Sequence, residues 1–309
     1  GLIGLGFDYE FKIFWRNKGF RKVLNLLPAR SFDQGMDYVV SLMETNLASR
    51  MTEGTVRIFQ QATTLHVVPI NLIGVSISTA AFPRLTERLS ENRIDLFKDE
   101  LRSVIRAIIW LASPVAIITY FTRGYVVSFI SHRGNSLMAG LLGVFAVAIL
   151  FRCLYHILAR SFYAQQDTKT PLYISIVAIS LNVFLAIWFT FSLRYGAYGL
   201  AVAQAIVAIV EVVILFTMME MRTPGVLNKY FWQGILRMAS AAGFMSIICY
   251  FMVHWLPFEA GARSLYEAVP KFILIVLVSL STYLMFSRLL QIKESEPVMR
   301  KLRKVFFRA

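Results

Sequence analysis

Four ionisable side chains lie along one face of an otherwise apolar stretch, residues 23–49. They are Arg30, Asp33, Asp37 and Glu44, and at about 100° per residue they share roughly a third of the helix circumference. An ionised group at mid-bilayer depth costs from ~2.5 to over ~10 kcal/mol, so we expect these groups to face a wet cavity or a partner. The pattern predicts one wall of a transport path. A soluble amphipathic helix, or ion pairs that only hold a bundle together, would fit the same residues.

Two further polar faces are predicted in later helices. The first consists of Arg57, Gln60, Gln61 and Thr64, and the second of Arg152, His156 and Arg160. Steps of three and four residues place each set on one side of a helix. Because a guanidinium fork binds two phosphate oxygens at once, these faces favour recognition of a bulky anionic substrate in a cationic cavity. The arginines would also suit a position at the membrane interface or, for Arg30, a role as the partner of Asp33.

Glu44 and Glu211 are the remaining acidic candidates within apolar stretches. Either carboxylate could bind a coupling cation or a proton, or pair with an arginine, and the sequence leaves these alternatives open. Enzyme signatures such as HExxH, CxxC, the P-loop and G-x-S-x-G do not occur in the sequence. The four histidines are dispersed and the two cysteines lie in apolar stretches. The sequence therefore predicts no catalytic residues, no cofactor and no firm metal site.

The elements that must position these groups are membrane-spanning helices. The chain is 57% hydrophobic and 16% charged, and several of its apolar runs are long enough to cross a bilayer. We predict an all-α polytopic membrane protein with about eight transmembrane helices. The predicted spans are residues 23–49, 57–82, 104–129, 137–158, 172–193, 200–221, 231–256 and 269–290. A basic amphipathic connector is predicted between the second and third.

Charge in the connections predicts the orientation of these spans. With the first residue placed inside, 24 of the 32 lysines and arginines lie in inner segments and 7 in outer ones, which satisfies the positive-inside rule. Both ends of the chain are therefore expected in the cytoplasm. The basic residues form no stripe with stacking aromatics, so the net charge of +14 does not indicate nucleic-acid binding.

Three motifs resemble the MurJ (MviN) family of lipid II flippases, within the multidrug/oligosaccharidyl-lipid/polysaccharide exporter (MOP) superfamily. They are LLPARSFDQ followed by TNLASRMTEGTVR, then PINLIGVSISTAAFPRLTE, and RSFYAQQDTKTPLYIS. The resemblance implies fourteen spans, arranged as two six-helix lobes around a cavity plus a terminal pair that frames a groove for a lipid tail. The eight spans here resemble the seventh to the fourteenth. The chain is therefore expected to be part of a longer protein, with the first lobe as a missing partner.

This resemblance implies the domain organisation. Residues 1–22 would be the end of a preceding helix and a basic interfacial linker, 23–222 a six-helix transporter lobe, 223–290 a terminal transmembrane pair and 291–309 a basic cytoplasmic tail. The implied function is translocation of the lipid-linked peptidoglycan precursor lipid II from the inner to the outer leaflet by alternating access, amid membrane lipids.

The resemblance also bears on individual residues. The family arginine expected in the second span is Thr64 here, and Arg57 is a candidate substitute. Sodium binding in some relatives implies Glu44 and Asn182 as ligands, but the carboxylate expected four residues after Asn182 is Ala186. Three alternative functions are export of another lipid-linked saccharide, cation-coupled antiport, and a non-transporting scaffold for cell-wall enzymes.

Overall fold

The computed structural model describes Gly35 and residues 38–131, 135–257 and 265–300, and every regular element within them is helical. The α-helices are α1 (38–49), α2 (Thr55–Pro69), α3 (Ser76–Ser90), α4 (Ile94–Phe121), α5 (Arg123–Ile130), α6 (Ser136–Ala164), α7 (Lys169–Ile187), α8 (Ala197–Arg222), α9 (Lys229–Trp255), α10 (Leu265–Leu289) and α11 (296–300). Two π-helical segments, Ile70–Val75 and Trp188–Ser192, continue α2 and α7, and a 3-10 turn occupies Lys293–Ser295.

Within the described residues, seven helices are long and apolar enough to cross a membrane. They confirm the seven spans predicted from residue 57 onwards. The first predicted span, 23–49, lies mostly outside the described residues, and only its end is seen, as α1.

Two predictions about this series are wrong, the end of the third span and the connector before it. The third span was expected to continue to residue 129, but α4 ends at Phe121 and α5 begins at Arg123. The predicted basic connector is not a separate helix. Its residues belong to the end of α3 and the start of α4, and Asn92 turns the chain between them with a positive φ of 56°.

Helices α6 and α8 form the centre of the bundle. In each, 56% of the most apolar 18-residue window is buried, whereas the figure is 17–28% in the other five spans. Both helices are rich in alanine and glycine, and such small residues let transmembrane helices approach closely. The peripheral helices instead turn large apolar side chains outwards, as expected for surfaces that meet lipid.

The π-helical segment Ile70–Val75 lies where α2 meets the central helix α6. It begins directly after Pro69, which has no N–H to continue the α-helical ladder, and the Ser76 N–H reaches back five residues to the Asn71 carbonyl. Gly74 lies so close to α6 that a Cβ built on it would be 2.7 Å from the Cys153 Cα. The segment therefore brings backbone against backbone, which only a glycine permits.

Helices α9 and α10 pack on the outer side of α4. The Trp110 Nε1 donates a hydrogen bond of 3.1 Å to the Ser287 hydroxyl, and the Tyr283 hydroxyl donates one of 2.9 Å to the Trp110 carbonyl. One step further along α4, Arg106 pairs with Glu294 in the turn that follows α10. A row of polar contacts thus fixes the terminal pair to the helix bundle.

Candidate functional site

A polar cavity of about 610 Å³ lies between α1, α2, the π-helical segment that follows α2, α6, α7 and α8. Each helix contributes at least one polar side chain to its lining. The polar lining comprises Ser41, Glu44, Thr45, Gln60, Thr63, Thr64, His66, Asn71, Arg152, Tyr155, His156, Ser175, Asn182, Gln204 and Glu211. A concentration of polar groups between apolar spans is expensive to bury, so it marks the region of this bundle best suited to bind a polar ligand.

The cavity brings together most of the candidates predicted from the sequence that fall within the described residues. Those that line it are Glu44, Gln60, Thr64, Arg152, His156, Asn182 and Glu211. Groups far apart in the chain are thereby gathered at one place, as the hypothesis of a transport path requires. Arg30, Asp33 and Asp37, which opened that hypothesis, lie outside the described residues, so their role stays a prediction.

Three other candidates do not line this cavity. Arg57 lies near the start of α2 and its side chain is exposed, and the neighbouring helical turn carries Gln61, which is half-buried. Arg160 Nη1 donates a hydrogen bond of 2.9 Å to the Val75 carbonyl at the end of the π-helical segment. The structure therefore gives Arg160 a contact that holds α6 against the π-helical segment, and Arg160 does not line the cavity.

Arg152 and Glu211 form an ion pair across the cavity wall, from α6 to α8. The Arg152 Nη1 lies 3.2 Å from the Glu211 Oε2. The glutamate side chain is 4% exposed, whereas the arginine side chain keeps 30% exposure. The carboxylate is thus packed into the wall, and the guanidinium is the more accessible member of the pair.

A second carboxylate, Glu44 of α1, is bonded to an amide and not to an arginine. Gln204 Nε2 of α8 donates a hydrogen bond of 2.6 Å to Glu44 Oε2, and both the Glu44 and Asn182 side chains are almost fully buried. The other Glu44 oxygen and the Asn182 Oδ1 have no hydrogen-bond partner within the described part of the chain. Buried oxygens of this kind need a donor, which water or a ligand in the cavity would supply.

The charges of the described lining differ from the cationic cavity that was expected. They consist of two carboxylates, Glu44 and Glu211, and one guanidinium, Arg152. The two lining histidines are packed: His66, for example, stacks on Phe145 with ring centroids 4.4 Å apart. An anionic ligand would therefore find a single arginine in this lining, and that arginine already has a carboxylate beside it.

Sodium binding by Glu44 and Asn182, which the family resemblance implies, stays a prediction. Ala186 is fully buried and offers no ligand atom where a carboxylate would be needed, and one Glu44 oxygen is taken by the Gln204 amide. Among the described residues, no group of three or more His, Cys, Asp or Glu side chains is placed to hold a metal ion. We therefore assign no step to a bound cation.

Sequence reasoning did not select Gln204, His66 or Ser175 as site residues. For Gln204 a signal existed, because it precedes Glu211 by seven residues and so shares its face of α8. His66 and Ser175 are single polar residues in apolar helices, and nothing in their spacing distinguishes a cavity residue from a packed one.

The sequence profile described as lipid II flippase MurJ matches residues 2–269. The probable lipid II flippase MurJ of Thermotoga maritima is 23% identical over 290 residues, which are 92% of this chain and 56% of that relative. The corresponding protein of Haemophilus influenzae is 29% identical over 223 residues, 65% of this chain and 41% of the relative. The chain thus spans about half the length of these curated relatives.

Two solved structures share the fold. A lipid II flippase MurJ in an inward closed conformation superposes with a TM-score of 0.67 at 20% identity, covering 91% of this chain and 56% of the other. An outward-facing multidrug resistance transporter of the MATE family, from the MOP superfamily, gives a TM-score of 0.60 at 10% identity, covering 90% and 66%. The fold, and a profile match over most of the sequence, lead to the same conclusion: the chain belongs to the lipid II flippase MurJ family.

Proposed function

We propose that this chain forms part of a flippase that moves lipid II, the lipid-linked peptidoglycan precursor, from the inner to the outer leaflet of the bacterial cytoplasmic membrane. No bond is made or broken in this process, so the protein acts as a transporter and not as an enzyme. The observation that carries the proposal is the polar cavity of about 610 Å³ between the spans, with Arg152 in its wall. A diphosphate needs such a guanidinium, and a polar headgroup needs such a lining.

The proposal assigns a part of the transporter to each segment. Residues 23–222 form a lobe that carries the cavity, and residues 223–290 form a terminal pair that guides the prenyl tail. A further helical lobe would face the cavity, and rocking of the two lobes would open it to one leaflet at a time. Support for a second lobe comes from the Thermotoga maritima relative, because the match to this chain covers only 56% of its length. The charge distribution supports cytoplasmic ends.

Translocation by the protein that carries this chain tests the proposal directly. The protein is reconstituted in liposomes with fluorescent lipid II, and the fraction of lipid accessible from outside is followed over time. We expect Arg152→Ala to reduce the rate by at least about tenfold, since a lost charge-assisted hydrogen bond is worth roughly 1.5–3 kcal/mol. Arg237→Ala serves as the matched control, because Arg237 is an exposed arginine of α9. Equal rates for both variants would contradict the role of the cavity.

Export of a different substrate is the alternative, since a multidrug resistance transporter shares this fold. The fold is common to both kinds of transporter, so the substrate has to be distinguished by binding. Lipid II and an undecaprenyl-linked O-antigen lipid are compared for protection of the protein against thermal unfolding. Stronger protection by lipid II supports the leading proposal, and stronger protection by the O-antigen lipid supports the alternative.

A further inference from the structure

The ion pair in the cavity wall has an unequal distribution of exposure. Glu211 is packed into the wall and Arg152 is the accessible partner, with 4% and 30% of their side chains exposed. A guanidinium has five N–H donors in a planar fork, and the separation of 3.2 Å joins one of its terminal nitrogens to the carboxylate. The guanidinium therefore meets both the carboxylate behind it and any ligand in the cavity.

An anionic ligand that binds Arg152 must compete with this carboxylate. Both present oxygens to the same guanidinium, and a diphosphate brings more of them and more charge. The second lining carboxylate, Glu44, is in a different situation, because it accepts a hydrogen bond of 2.6 Å from the neutral amide of Gln204. Only Glu211 is in direct contact with the arginine among the described carboxylates of the lining.

We propose that Glu211 is the resident counter-ion of Arg152 and is exchanged for the anionic headgroup during each transport cycle. In the empty cavity Glu211 neutralises Arg152. When the diphosphate arrives, it takes over the guanidinium, and the displaced carboxylate shares the cavity with Glu44. This inference rests on the proposed function and adds to it a residue that limits how tightly the substrate is held.

The consequence of the exchange is reversible binding. A transport site must hold its ligand well enough to load but weakly enough to release it. With the diphosphate in place, Glu211 and Glu44 leave two carboxylates beside an anion in one cavity, and like charges repel. Return of Glu211 to Arg152 removes part of this repulsion and helps to expel the headgroup.

The experiment measures binding and translocation separately, in the protein that carries this chain. Farnesyl diphosphate is the binding probe and farnesol, which lacks the diphosphate, is its control. The variants are Glu211→Gln, which removes the competing charge, Glu44→Gln, which makes the same change without a direct arginine contact, and Arg152→Gln. We expect Glu211→Gln to bind farnesyl diphosphate about tenfold more tightly, within the usual range for coupled sites, and to translocate lipid II more slowly than the wild type because release is delayed.

The controls define what would overturn the inference. Glu44→Gln is expected to change the logarithm of the dissociation constant for farnesyl diphosphate by less than half as much as Glu211→Gln does. Arg152→Gln is expected to abolish binding. An equal gain for Glu44→Gln would show a general charge effect, and weaker binding by Glu211→Gln would show that Glu211 only positions Arg152. Either result refutes counter-ion exchange while leaving the flippase intact. Loss of farnesyl diphosphate binding in all variants, the wild type included, refutes the inference and the diphosphate site together.

Discussion

Arg106 of α4 and Glu294 of the turn after α10 form an ion pair, with 2.6 Å between Arg106 Nε and Glu294 Oε1 and only 12% of each side chain exposed. Gly234 of α9 makes room for it, since a Cβ at that position would lie 2.5 Å from the Arg106 Cζ. Three elements thus meet around one guanidinium.

We expect Glu294→Gln to lower the free energy of unfolding by about 2 kcal/mol, because it leaves a largely buried arginine without its carboxylate. Thermal unfolding of the detergent-solubilised protein measures the effect. Glu296→Gln is the matched control, since Glu296 is exposed in the next turn. Equal melting temperatures for the two variants would show that the pair does not stabilise the docking of the terminal helices.

The contact between Gly74 and Cys153 predicts intolerance of the smallest side chain. Gly74→Ala would place a methyl group 2.7 Å from the Cys153 Cα, which is backbone and cannot rotate away. We expect a loss of about 1–3 kcal/mol, the usual cost of overpacking. Gly243→Ala in α9 is the control, because no atom lies within 4 Å of its added Cβ, and alanine there favours the helix by up to about 1 kcal/mol. The melting temperature should therefore fall in Gly74→Ala and stay the same or rise in Gly243→Ala.

Asp167, in the connection between α6 and α7, predicts a pH-dependent contribution to stability. Its Oδ1 accepts hydrogen bonds from the N–H groups of Lys169 and Thr170, and its Oδ2 accepts from the Thr170 hydroxyl and from Arg222. Burial raises the pKa of Asp167, but the hydrogen bonds from Thr170 and Arg222 outweigh it, so the pKa lies below the ordinary 3.8.

A depressed pKa means that the folded state binds this proton less readily than the unfolded chain. The stabilisation is therefore complete above the ordinary pKa of 3.8 and is lost as the pH falls through the lower folded value. We expect Asp167→Asn to cost about 1 kcal/mol at pH 7, because the amide keeps an acceptor for the two N–H groups but has no charge to pair with Arg222, and the difference from wild type to shrink towards pH 3. A difference that stays constant from pH 7 to pH 3 would contradict this.

Arg57 separates the sequence-based hypothesis from the cavity seen in the structure. Its spacing places it on the side of α2 that carries Gln60 and Thr64, yet its side chain is exposed and does not line the described cavity. We expect Arg57→Ala to keep translocation within about twofold of wild type, as for most exposed charges, and to remain well above Arg152→Ala in the same assay. A translocation rate as low as that of Arg152→Ala would contradict this and support a role for Arg57 in contacting the substrate.

The spans could be predicted from the sequence because apolar length is a local property. Membership of the cavity could be predicted only in part. Periodicity gives the side of a helix but not the depth at which a cavity ends, which is why Arg57 was grouped with Gln60. Arg160 follows Arg152 and His156 at helical spacing, but its side chain donates a hydrogen bond to the Val75 carbonyl. No local sequence pattern predicts a contact with that carbonyl.

Contacts between residues that are distant in the chain could not be predicted from the sequence for a different reason. Gln204 donates to Glu44 from 160 positions away, and Arg152 meets Glu211 across 59. From the sequence, pairing with an arginine was one possibility for each glutamate. In the folded chain Glu211 of α8 pairs with Arg152 of α6, whereas Glu44 of α1 accepts a hydrogen bond from Gln204 of α8. Such choices depend on which helices become neighbours, a property of the whole bundle.

The π-helical segment Ile70–Val75 changes the angular phase of the long helix that runs from Thr55 to Ser90. Gln60 and Ser78 are eighteen residues apart, which is five whole turns of an uninterrupted α-helix. On a helical wheel they would coincide, yet Gln60 lines the cavity and Ser78 is fully buried. The π-helical segment accommodates one residue more than an α-helix would need. Removing one residue inside it should therefore leave α2 and α3 with the same sides towards their neighbours. Removing one residue from the middle of α2 would instead rotate one wall of the cavity by about 100°.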